Sequence, residues 1–171
     1  MYGKYIKIGI VVLLVALAVY QFIIGNIGFG ILLVLLAGFP VLFIFKNEYN
    51  LLALIFMKRG KFITAEKVLL KVKHPEAMPK SQEAYYYFLR GGLEAQKRQM
   101  RESERFYKRA LATGLRMPTD QAMAKLNLAV GSISRRRKRE AQIYLQEVKK
   151  LDKYKMLDEQ VKMLKEQMKR I

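Results

Sequence analysis

The chain has 171 residues, with 32 Lys and Arg against 14 Asp and Glu, a formal charge of +18, one His and no Cys. Without Cys there is no disulfide framework, thiol chemistry or Cys-ligated zinc, and a single His excludes a multi-His metal site. Charge is unevenly divided: Ile8 to Phe45 carry none, whereas every acid and 30 of the 32 basic residues lie in 46–171, an excess of +16 there.

A spanning helix needs about 20 apolar residues. The uncharged run of 38 residues therefore predicts two spans, about 5–24 and 27–45. The break falls at Gly25-Asn26-Ile27-Gly28-Phe29-Gly30, where Gly and Asn favour a turn. Lys4 and Lys7 precede the pair, Lys46 follows it, and the turn carries no charge. The positive-inside rule then puts both termini in the cytoplasm, as in a multi-pass inner-membrane protein. Residues 1–46 are expected to form a transmembrane helical hairpin, and 47–171 a cytoplasmic helical domain.

From Asn47 onward the apolar spacing is helical, punctuated at His74-Pro75, Met78-Pro79, Gly114 and Pro118. Self-similarity recurs every 38 residues. Ala65, Ser103 and Ala141 are one period apart, and twelve positions before each lies another small residue, Ala53, Gly91 and Ala129. Four positions after each comes a large one: Leu69, Tyr107 and Leu145. Small residues at such places let two helices cross closely, because a larger side chain would hold the backbones apart.

This pattern resembles the tetratricopeptide repeat, in which aromatic, Leu-Gly, aromatic, Ala, large, Ala and Pro positions recur. The resemblance covers about Asn47 to Asp152. It implies an all-α fold: a solenoid of three helix pairs at about 47–73, 81–112 and 119–150. A capping helix at about 154–170 presents Leu157, Val161, Leu164 and Met168 on one face. The departures are the 38-residue period, Arg90 in place of a large apolar residue, and Glu94 and Ser132 in place of an aromatic. An irregular helical bundle is the alternative architecture.

Arrays of this kind are scaffolds whose leading helices line a groove for a partner segment. In this register the groove would be lined by Leu54, Met57, Tyr85, Phe88, Ala95, Met123, Leu126, Val130 and Ile133. Packing against the capping helix, or against one another, is the other reading of these side chains. The Lys, Asn and Arg clamp of chaperone-tail binders is not matched: its places hold Asn50, Leu54, Leu89, Met123 and Asn127.

The turn inside each pair is basic. Lys58, Arg59 and Lys61 occupy the first, Lys97, Arg98 and Arg101 the second, and Arg135, Arg136, Arg137, Lys138 and Arg139 the third. Stacking the pairs would gather these into one basic edge, and a set of solvated turns is the plainer reading. His74 precedes Pro75 in a predicted loop with no partner in sequence, and no nucleophile–base constellation appears. No enzyme activity, metal, cofactor or small-molecule substrate is expected. The expected role is a membrane-anchored interaction scaffold, or an accessory subunit of a membrane protein complex. The alternative is a membrane receptor for a ribosome or other RNA-rich particle, or for anionic lipid, acting through the basic edge.

Overall fold

The helical periodicity is realised as nine α-helices among the described residues, with no strand. The structure, a computed structural model, describes the backbone of residues 2–45 and 48–170 and the side chains of 9–38 and 48–170. In chain order the helices are α1 Tyr2–Ile23, α2 Ile27–Phe45, α3 Glu48–Lys58, α4 Phe62–Leu69 and α5 Lys80–Gln96. They continue with α6 Met100–Thr113, α7 Pro118–Ser134, α8 Lys138–Leu151 and α9 Asp158–Lys169, and a short 3-10 turn covers Pro75–Ala77. Two units result, Met1–Leu51 and Leu52–Ile171, with the boundary inside α3.

In the first unit α1 and α2 form an antiparallel hairpin. Its turn is closed by the Asn26 amide, which donates to the Gln21 carbonyl at 3.0 Å. The helices meet through small residues: Ala18, Gly30 and Ala37 are buried, and a Cβ on Gly30 would lie 2.7 Å from the Phe22 ring. Outward side chains such as Leu13, Ile23, Phe29 and Leu35 are apolar and exposed.

The membrane reading of this hairpin is corrected. Among the described residues, no helix is long and apolar enough to cross a membrane. The two-span transmembrane hairpin is thus not supported, nor is the multi-pass inner-membrane location with both termini cytoplasmic. Lys4, Lys7 and Lys46, which carried the orientation, lie outside the residues whose side chains are described.

The second unit is built from helical hairpins with a common 38-residue period. All six small residues singled out at the crossings, Ala53, Ala65, Gly91, Ser103, Ala129 and Ala141, are buried. In the middle crossing the Ser103 hydroxyl donates to the Gly91 carbonyl at 2.9 Å. Leu69, Tyr107 and Leu145 fill the space beside each crossing, and all three are buried. Burying such a side chain contributes about 1.5–3 kcal/mol.

Turn chemistry repeats with the same period. Gly60, Arg98 and Arg136 have φ of 73°, 60° and 58°, at equivalent places in the three turns. The following amide donates back across the turn each time: Lys61 to Phe56, Gln99 to Glu94, and Arg137 to Ser132, at 2.9, 2.9 and 2.8 Å. The preceding bonds, Gly60 to Met57, Arg98 to Ala95 and Arg136 to Ile133, complete a Schellman end for α3, α5 and α7. Elsewhere, Pro118 opens α7 with the φ a first turn needs, and Gly114 ends α6 in the left-handed region.

The last helix closes the array. Leu157, Val161 and Leu164 join Leu126, Ile133, Leu145 and Val148 in one apolar cluster, with Met168 packed against it. The Asp152 carboxylate fixes the approach by accepting from the Met156 and Leu157 amides at 3.1 and 2.6 Å.

Candidate functional site

Two surfaces of the second unit were singled out in the sequence: the face of α3, α5 and α7, and the basic turns. On the first, the expected groove residues fall into three states. Leu126 and Ile133 are 6% exposed and belong to the core shared with α8 and α9. Leu54, Met57, Tyr85, Phe88, Ala95 and Val130 are half-buried. Met123 is 37% exposed.

Residues one period apart on this face are treated alike. Leu54, Gly92 and Val130 occupy equivalent positions on the three helices, and each is half-buried. The absence of a side chain at Gly92 admits the Met57 methyl, which would lie 3.0 Å from a Cβ there. Tyr85 stacks on Phe88 with centroids 5.8 Å apart. Burial, with a smaller push from the Asp120 charge, raises the Tyr85 phenol to about 12. The surface is therefore an apolar, partly dry strip. Asn127, at a clamp position, donates to the Met123 carbonyl of its own helix at 2.9 Å, and the apolar Leu89, at another, is buried.

On the basic edge the eleven cations divide in two. Three are engaged by acids of the preceding hairpin or its neighbour. Lys97 pairs with Glu66, Arg135 with Glu104 at 2.7 Å, and Arg137 with Glu104 at 3.1 Å and Glu140 at 2.8 Å. Lys108 adds to Glu104 at 2.8 Å from the same helix. Burial alone would raise the Glu104 carboxyl, but hydrogen bonds from Lys108 and Arg137, and the charges of Lys108 and Arg135, hold it below its usual value.

The pairs Glu66–Lys97 and Glu104–Arg135 are one repeat apart at both ends. Each ties a turn to the first turns of the preceding hairpin's second helix, so the turns are drawn to one edge. Among the described residues no ion pair reaches Lys58, Arg59, Lys61, Arg98, Arg101, Arg136, Lys138 or Arg139, all exposed. In the sequence Glu66 does not stand out, and Glu104, beside Glu102, reads only as a helix-surface acid. Their signal was their position, one residue after the small Ala65 and Ser103.

The remaining candidates have local explanations. The exposed His74 ring meets Glu76 at 3.1 Å. Among the described residues no group of three or more His, Asp or Glu is placed to hold a metal ion. No family model matches the chain, and neither a curated protein nor a solved structure does.

Proposed function

We propose that the second unit is a non-enzymatic, tetratricopeptide-like interaction scaffold that binds a segment of a partner protein along the face of α3, α5 and α7. The observation that carries this reading is the row Leu54, Gly92 and Val130, half-exposed at the same position of three successive leading helices. A face that repeats in register offers an extended or helical segment the same contact at each step. The exposed Met123 beside it supplies a flexible, polarisable side chain suited to adaptable contact. In this role the chain is an accessory subunit that positions its partner.

The test is site-specific photo-crosslinking in cells. A photoreactive residue replacing Met123 should give one dominant protein adduct at both about 0.1 M and 0.5 M salt, since apolar contact is weakly screened. The same residue at Ile143, exposed on α8, is the control and should give none. Adducts from Ile143 but not from Met123 would place the partner elsewhere and end this reading.

A further inference from the structure

The basic turns are not used by the leading-helix face, and their geometry separates structural cations from idle ones. Lys97, Arg135 and Arg137 are spent on Glu66, Glu104 and Glu140. What remains is ordered: Arg98 and Arg136 hold the same turn position one repeat apart, and so do Arg101 and Arg139. All four are exposed and reach no carboxylate among the described residues. From this we infer that the turn edge of the second unit grips the phosphate backbone of a nucleic-acid duplex through Arg98, Arg101, Arg136 and Arg139.

Three further observations support the inference. First, Arg98 and Arg136 adopt φ of 60° and 58°, where the first turn has Gly60. A side chain in this region costs about 1 kcal/mol, so both arginines stand where a glycine would fit the backbone better, as Gly60 does. Second, the edge is pre-ordered. Glu66–Lys97 and Glu104–Arg135 fix successive turns against each other, and packed helices stand about 8–10 Å apart. Third, 46–171 carries an excess of +16, a long-range field suited to a dense polyanion rather than to a few carboxylates.

The edge also indicates how such a ligand would be read. Residues 96–101 and 134–139 contain no aromatic side chain, so unstacked bases find no platform. Arginine forks grip phosphate oxygens bidentately without reading base edges. Binding is thus expected to be indifferent to sequence and strongly dependent on salt.

The experiment is fluorescence anisotropy with a labelled 20-base-pair RNA duplex, the DNA duplex of the same sequence, and polyglutamate. The full-length chain is used in mild non-ionic detergent, from about 0.05 to 0.3 M salt. Four phosphate contacts give a log–log salt slope of about −3 to −4. The variant R98Q/R101Q/R136Q/R139Q should lose at least tenfold in duplex affinity and most of that slope. Removing equal charge elsewhere, at Lys149, Lys150, Lys162 and Lys165, should change affinity less than threefold. R98G/R136G keeps the left-handed turns and should lose affinity in proportion, which separates charge from folding. No duplex binding, equal losses in the two fourfold variants, or tighter binding of polyglutamate than of either duplex would each overturn the inference.

Discussion

Arg90 and Glu94, one turn apart on α5, form an ion pair at 3.1 Å with side chains only 15% and 5% exposed. These are two positions at which the chain departs from the apolar repeat pattern, and each is the other's partner. The pair is supported by Phe106, whose ring centre lies 5.1 Å from the Arg90 guanidinium, and by Lys97 at 3.9 Å from Glu94. Breaking one half of such a pair strands a buried charge, whereas replacing both by apolar groups is often neutral. Glu94→Ala should therefore cost about 3 kcal/mol in urea unfolding, and Arg90→Leu with Glu94→Phe much less. A double variant no more stable than either single one would show that the pair does not act as a unit.

The middle crossing is equally specific. Ser103→Ala removes the hydroxyl bond to the Gly91 carbonyl and should cost about 1 kcal/mol. Gly91→Ala places a Cβ 2.9 Å from the Tyr107 ring, an overpacking that should cost about 1–3 kcal/mol. Thermal unfolding followed by circular dichroism measures both, and a neutral Gly91→Ala would mean that the helices separate without penalty.

The left-handed turn residues make opposite predictions at equivalent sites. Gly60→Ala should destabilise by about 1 kcal/mol, while Arg98→Gly should stabilise by several tenths, the gain being reduced by the greater freedom of glycine in the unfolded chain. Both follow from φ of 73° and 60°. Urea midpoints of the two variants, moving in opposite directions from the parent, check the claim.

Glu104 predicts a pH dependence. Its carboxyl is held below the ordinary value of 4.5 in the folded chain. A depressed folded value means that the unfolded chain binds the proton more readily, so the contribution is complete above about pH 4.5 and is lost as pH falls through the folded value. Glu104→Gln should lower stability at neutral pH by about 1 kcal/mol and flatten the acid limb below the ordinary carboxyl value of 4.5. An unchanged acid limb would show that Arg135, Arg137 and Lys108 do not read the charge on Glu104.

Much of the helical unit was legible in the sequence because its causes are local or periodic. The small residues at Ala53, Gly91 and Ala129, and their partners twelve positions on, marked the crossings through the sterics of close approach. The apolar stripe of Leu157, Val161 and Leu164 marked a helix with one face to bury. The partnership of Arg90 and Glu94 was readable as an i, i+4 pair, although its burial was not.

Tertiary structure decided what depends on residues distant in sequence. Leu126 and Ile133 are core because α8 and α9 pack over them, whereas Met123 on the same helix stays exposed. Helical period assigns a face but not what covers it. Likewise, eleven cations look alike as a string, and only the approach of Glu66 and Glu104 separates those that hold the hairpins together from those left exposed. Sequence alone determined the helices, their period and their excess of charge. Packing determined which side chains remained available, because burial and ion pairing arise between segments that only the folded chain brings together.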